Sequence, residues 1–300
     1  MNPSNTPRLD RLSALLEGLA PAVSPTVLGP HAHLDASQPP PREPGLSIYL
    51  SMNEPLHLEW AGRHLSAPAP AIVIVRWGTP LHVVQLTEPV PDRLVQIQCH
   101  LKGPVAPLFL GEFEKPCLLS PSTDEPALRW AMNLIDAEIG APRCGQTALL
   151  QRAADILFVG LLRHLVANPG TRPAGLLLAL SEPRIAKAVV AMHQSPGGDW
   201  TLERLAAQAG MSRTSFANIF RERMNKTPGK YLSTLRLALA ERAVGAGKGL
   251  KEAARSVGYR SASALSRALL QARASSAKEP AASEGLNVLT AGALDQRLGG

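Results

Sequence analysis

The chain has few cysteines and no long apolar run. Each shortage removes a class of protein. The three cysteines, Cys99, Cys117 and Cys144, are odd in number and widely spaced, which argues against a disulfide framework and leaves no zinc spacing. Such thiols fit a reducing cytosol, so the expected location is the cytoplasm. No apolar run reaches the roughly 20 residues that cross a bilayer, and no membrane partner is expected. The stretch "MNPSNTPRLDRL" lacks the basic-then-apolar order of a secretory signal.

What is present is a globular composition, 45% hydrophobic over 300 residues, enough for two domains with separate cores. Charge divides them unequally. Residues 181–300 hold 18 Lys/Arg against 9 Asp/Glu, a net of +9, while the remainder holds 13 against 15, a net of −2. A basic C-terminal part beside a nearly neutral N-terminal part implies that one end meets a polyanion.

The texture changes along the chain. Residues 9–20, "LDRLSALLEGLA", space their leucines as an amphipathic helix does. From Val27 to about Lys115 come short β-favouring runs: "LSIYLSM", "PLHLEW", "AIVIVRW", "LHVVQLT" and "LVQIQCHL". Several alternate apolar with polar residues, and their number and spacing predict a sandwich or barrel. "SQPPPREPG" reads as an exposed connection. After Pro126, "ALRWAMNLIDAEI" and "TALLQRAADILFVGLLRHLVA" return to helical spacing. "NPGTRPAG" (168–175) is the strongest linker signal, and the Ala/Ser/Gly-rich residues beyond about Ala274 are expected to be mobile.

Within the basic part, "LAAQAGMSRTSFANIF" is helix-like on both sides of Gly210. Glycine costs a helix interior roughly 1 kcal/mol relative to alanine, so here it marks a turn, with Ser212 capping the helix that follows. The bend recurs. "LKEAARSVGYRSASALSRALLQAR" has the same layout, with Gly258 lying 48 residues after Gly210. Ala206 and Ala254 stand four positions before each glycine, where two steeply crossing helices need a small side chain. Leu205, Met211, Phe216, Ile219 and Phe220 form the expected core of the first unit, and Val257, Tyr259, Leu265 and Leu269 that of the second. This is the helix-turn-helix arrangement, which presents its second helix to the major groove. Between the units, Pro228 to Ala246 predicts a helix of roughly 28 Å. Such a rod holds two reading helices about one DNA turn, roughly 34 Å, apart.

These residues resemble the AraC/XylS family of bacterial transcription regulators. "LAAQAGMSRTSFANIFRERMNKTPGKYL" is similar to the family's first helix-turn-helix and linker helix, and "AARSVGYRSASALSRAL" to its second. Residues 9–170 resemble the cupin-type sensor of one branch, with "AGRHLSAPAPAIVIVRWGTPLHVV" in place of its strand-turn-strand and "LLLALSEPRIAKAVVAMH" at its junction. Two departures stand out: Leu265 and Leu269 replace a usual phenylalanine pair, and "RASSAKEPAAS" replaces the closing helix. The resemblance implies an α+β chain with four parts. Residues 1–170 form a cupin-like sensor and dimerisation domain, with an antiparallel β-barrel over about 27–115 and flanking helices over 126–166. Residues 171–182 are a linker, 183–273 an all-α tandem helix-turn-helix domain, and 274–300 a tail. It implies promoter DNA, a small-molecule effector, a second copy of the chain and RNA polymerase as partners, and no catalysis.

With Phe216, Ile219 and Phe220 facing inward, the first reading helix offers Arg213, Thr214, Ser215, Asn218 and Arg221. Arginine pairs bidentately with guanine and asparagine with adenine, so Arg213 and Asn218 are the expected base readers. Arg260, Ser261, Ser263 and Arg267 take the equivalent places in the second unit, and Lys226, Lys230 and Lys251, near helix ends, suit phosphate. In the front domain, His31, His33, His57, His64, His82 and His100 do not fall at the spacing of a metal cupin, and no cofactor is expected. A metal-dependent cupin enzyme with a basic appendage is the alternative. For the sensor reading, Trp60, Arg76, Trp77 and His82 are the candidate effector-lining residues.

Overall fold

The computed structural model describes residues 10–28, 44–77, 94–120, 125–170, 174–276 and 288–289. Helix α1 (Arg11–Leu19) leads into strands β1 (Pro21–Leu28), β2 (Gly45–Ser51), β3 (Leu56–Trp60), β4 (Arg63–Ala67), β5 (Ala71–Arg76) and β6 (Leu94–Leu101). Helix α2 (Ala106–Leu110), a 3-10 turn at Gly111–Phe113 and strand β7 (Cys117–Leu119) follow. Two longer helices, α3 (Pro126–Gly140) and α4 (Gln146–Ala167), precede α5 (Leu176–Ser181) and α6 (Pro183–Gln194). The remaining helices are α7 (Leu202–Ala209), α8 (Arg213–Met224), α9 (Pro228–Gly245), α10 (Leu250–Ser256) and α11 (Ala262–Ser276), with a short β8 (Val288–Leu289) last. The chain is α+β. "LHVVQLT", the "HAH" pair and His82 lie outside the described residues, as does "SQPPPREPG" up to residue 43, its last residue, Gly45, opening β2.

The strands form a six-stranded sheet in the order β1-β6-β2-β5-β7-β8, together with a β3-β4 hairpin. β2 runs antiparallel to both β5 and β6, and β5 to β7; β8 joins β7 in parallel. Pairing of Ile48 with Ile97 and Ile74, and of Leu50 with Val95 and Ile72, places Leu46, Ile48, Leu50 and Cys99 on one buried face. The other face meets the hairpin: Leu56 and Leu58 of β3 and Leu65 and Ala67 of β4 share a cluster with Val73, Val75, Leu94 and Leu118. Both faces of the central strands are therefore dry, which is why "AIVIVR" reads as a continuous apolar run rather than an alternation. β1, "PAVSPTVL", carries two prolines and was not expected as a strand. It sits at the sheet edge, where a missing amide costs no ladder hydrogen bond.

The chain divides into two compact units, and the division is discontinuous. The sheet unit comprises residues 22–100, 113–164 and 286–300. The helical unit comprises residues 1–21, 101–112 and 165–285, so the amphipathic N-terminal helix and the segment after β6 pack with the basic helices. In the helical unit, Gly103 N–H donates to Leu19 O at 2.6 Å and Val105 N–H to Gly18 O at 2.9 Å, docking the end of α1. Arg11 Nη1 donates to Leu180 O at 2.8 Å, and Glu112 Oε1 accepts from Leu177 N–H at 2.9 Å. At the centre of this unit the His193 ring of α6 meets Tyr231 of α9, with Nε2 and the phenol oxygen 2.6 Å apart. Tyr231 is buried and His193 half-buried, and the loss of solvent around the imidazole holds its pKa down to about 4. Residues 274–276, expected in a mobile tail, continue α11, and Val288–Leu289 pair with β7.

Candidate nucleic-acid interface

The first helix-turn-helix is built by local rules. Thr201 caps α7 by accepting from Arg204 N–H at 3.2 Å. Gly210 ends that helix at φ +63°, and Met211 N–H reaches back to Ala206 O at 2.9 Å, the pairing of a left-handed helix end. Ser212 then caps α8 by accepting from Ser215 N–H at 3.2 Å. Phe216, Phe220 and Met224 of α8 turn inward, and the Phe216 and Phe220 rings lie 5.5 Å apart. The opposite face leaves Arg213, Thr214, Ser215, Asn218 and Arg221 exposed.

The second unit repeats the first with one change. Gly258, at φ +81°, ends α10, and Tyr259 N–H reaches Ala254 O at 2.8 Å as Met211 does Ala206. Ala253, Ala254, Val257 and Leu265 form the core, with Tyr259 and Leu269 packed at its margin. The cap is Ser261, whose Oγ accepts from Ala264 N–H at 3.1 Å. The turn from glycine to cap is thus one residue longer than in the first unit. Leu265 takes the place of Phe216, Arg267 that of Asn218, Ala262 that of Arg213 and Leu270 that of Arg221. Ser261 spends its oxygen on the cap, and Arg260 lies in the turn before α11. Both are exposed, as are Ser263 and Arg267.

Between the units, Thr227 caps α9 and Pro228 opens it, a residue whose missing amide is harmless at that position. Its 18 residues span about 27 Å at 1.5 Å per residue. Arg236, midway along, donates from Nε to Pro196 O and from Nη2 to Gly198 O, both at 2.7 Å. Gly197, inside that loop, touches the second turn so closely that a Cβ on Gly258 would lie 2.8 Å from Gly197 O. Arg236 therefore ties the rod to the loop, and the loop to the second turn. Lys226, Lys230 and Lys251 are exposed near helix ends.

One ion pair crosses the first unit. Arg213 Nη1 donates to Glu203 Oε1 at 2.7 Å. The hydrogen bond from Arg213, then those from its own backbone amide and from Thr201, hold the exposed Glu203 carboxyl down to about 2. Sequence spacing does not reveal this pair, since its members are ten residues apart on different helices.

Two family models match the chain: "Helix-turn-helix domain" over residues 205–279 and "Cupin" over residues 10–167, the second covering more than half of it. A putative AraC-like transcription regulator from Streptomyces antibioticus is 34% identical over 142 residues, covering 47% of this chain and 46% of the relative. The chain belongs to the AraC family of transcription regulators. The regulator AlkR of Acinetobacter baylyi is 32% identical over 148 residues, covering 49% of this chain and 48% of its own. The chain thus spans about half the length of the curated relatives it matches. A crystal structure of ToxT from Vibrio cholerae with bound unsaturated fatty acid covers 84% of this chain and 91% of its own at 11% identity, with a TM-score of 0.35, too low to bear on the fold.

In this AraC-family chain the sheet unit carries a half-buried row of polar side chains beside the apolar cluster. Alternate residues of β2 and β6 share the face that meets the hairpin. There Gln96 Nε2 donates to Tyr49 Oη at 3.2 Å and to Ser47 Oγ at 3.4 Å. Trp77 Nε1 also donates to Ser47 Oγ, at 3.0 Å, and the Trp77 ring lies edge-on to His100 with centroids 4.6 Å apart. Trp60 and Tyr49 pack against the same apolar cluster. Trp60 and Trp77 are half-buried, Trp77 in the polar row and Trp60 against the apolar cluster, whereas Arg76 is exposed. Ser47, Tyr49 and Gln96 were not singled out from the sequence, although "SIY" and "QIQCH" carried the signal: polar residues two apart between apolar ones. Among the described residues no group of three His, Cys, Asp or Glu side chains gathers as metal ligands, and no helix is long and apolar enough to cross a membrane.

Proposed function

We propose that this chain is a sequence-specific DNA-binding transcription regulator, reading two neighbouring major grooves with α8 and α11. The observation that carries the reading is the repeated helix-turn-helix, its twelve polar and basic candidates all exposed, on units joined by a helix of about 27 Å and the Arg236 tie. Arg213 and Asn218 in the first unit and Ser263 and Arg267 in the second face bases, while Lys226, Lys230, Lys251 and Arg260 take phosphate. A small effector enters the sheet unit beside Trp60, Trp77, Ser47, Tyr49 and Gln96, and its binding shifts the balance between arrangements of a homodimer. RNA polymerase is the further partner where the outcome is activation. No catalytic step is needed, and the cytoplasm is the setting.

The test is selection from random double-stranded DNA, followed by titration of the selected site and a scrambled one at several salt concentrations. Asn218→Ala is expected to weaken the selected site about tenfold and leave scrambled DNA unchanged. Lys230→Ala weakens both and reduces the logarithmic salt slope by about 0.9. Equal affinity of the wild type for both DNAs refutes the reading.

A further inference from the structure

We propose that Glu203 is a specificity-determining residue of the first helix-turn-helix: it holds the Arg213 guanidinium for a base edge and opposes its use on phosphate. This rests on the DNA-reading function proposed above. Arg213 is the first residue of α8, and the N-terminal residues of a reading helix are those that contact base edges. An arginine left free there goes to the nearest phosphate oxygen, which is charged and present at every step of the duplex. Glu203 changes the balance. Its Oε1 accepts from Nη1 at 2.7 Å, so the pair carries no net charge and the carboxylate repels phosphate. A guanine edge has no net charge and is not repelled. The guanidinium keeps four of its five N–H donors for O6 and N7.

Glu203 lies on the first turn of α7, a helix fixed before the turn by the Thr201 cap, so the pair joins two separately formed helices. Stability does not account for the pair. Its side chains are 66% and 56% exposed, and exposed ion pairs add little to folding.

The second unit supplies an internal comparison. Lys251 occupies the place of Glu203 on α10, and Ala262 that of Arg213 on α11. The neighbouring Glu252 is engaged by Lys248 at 3.2 Å. Where the first unit has a restrained arginine, the second has a lysine suited to phosphate. The first unit therefore discriminates between sequences, and the second contributes more of the general grip.

The experiment compares wild type, Glu203→Gln, Arg213→Ala and the double variant, all full length, on the site selected by the wild type and on scrambled DNA across a salt series. Glu203→Gln is expected to tighten scrambled DNA about 3- to 10-fold and to steepen its salt slope by about 0.9, one added phosphate contact. Its preference for the selected site falls by a similar factor. In the Arg213→Ala background the same change tightens scrambled DNA less, by relief of the carboxylate's own repulsion alone, because the arginine it would release is absent. An unaltered thermal midpoint for Glu203→Gln separates this from misfolding. Wild-type selectivity retained in Glu203→Gln, or an equal effect with and without Arg213, overturns the role of Glu203 and leaves the regulator reading intact. A wild type that enriches no sequence at all removes both.

Discussion

Gly258→Ala and Gly210→Ala make one substitution at two equivalent turns whose surroundings differ. Both glycines have left-handed backbone, at φ +81° and +63°, which costs a residue with a Cβ about 1–2 kcal/mol. At Gly210 the added methyl meets nothing within 4 Å, so that strain is the whole cost. At Gly258 it would lie 2.8 Å from Gly197 O and 3.0 Å from Gly197 Cα, both backbone atoms. Forcing them apart adds about 1–3 kcal/mol, as overpacking does elsewhere. The expected losses are therefore about 1–2 kcal/mol for Gly210→Ala and about 2–5 kcal/mol for Gly258→Ala. Native-state hydrogen exchange, read separately on amides of α7–α8 and α10–α11, measures each locally. Because Gly197 lies in the loop that Arg236 holds, Gly258→Ala is also expected to weaken a two-groove site more than a half-site read by α8 alone. Equal costs for the two variants, within about 0.5 kcal/mol, would refute the reasoning that the second turn is fixed by backbone contact.

Two further outcomes follow from the helical core. Phe216, fully buried, is expected to cost about 3–5 kcal/mol as Phe216→Ala, whereas exposed Thr214→Ala stays within about 0.5 kcal/mol in the same urea titration. His193, held to about 4 in the fold against about 6.5 unfolded, is neutral in both states above pH 6.5. Between pH 6.5 and 4 the unfolded chain takes up a proton that the folded chain refuses, so stability falls with falling pH by about 3 kcal/mol and levels off below 4. Wild type compared with His193→Gln across that window isolates the effect, and an identical pH dependence would contradict it.

Much of the helical half was legible in the sequence because its determinants are local. A glycine that ends a helix, a serine or threonine that caps the next, and an alanine four positions before the turn all act within a few residues of chain. The helical period then places Phe216 and Phe220 inside and Arg213 and Asn218 outside. Even so, equal spacing of the two glycines hid the longer second turn. Whether Arg260 belongs to the turn or to the helix depends on which hydroxyl takes the capping amide, and the backbone path decides that. In the sheet half, the alternation of "QIQCH" was visible, but not which of its faces would be inside. In β6 the apolar set, Val95, Ile97, Cys99 and Leu101, is buried, and the polar set, Gln96, Gln98 and His100, is half-buried.

The linear sequence by itself determined the two helix-turn-helix units, the rod between them, the basic charge of that end and the exposed faces of α8 and α11. Only the tertiary structure decided that α1 and residues 101–112 pack with the helical unit, that proline-bearing β1 is an edge strand, and that Ser47, Tyr49 and Gln96 share one hydrogen-bonded row with Trp77. It alone set Glu203 against Arg213 and Arg236 against the loop of Pro196 and Gly198. Caps and turns are settled by energies acting over three to five residues and leave a periodic trace. An ion pair between two helices, or a strand's choice of neighbours, is settled by atoms that meet only after the chain has folded.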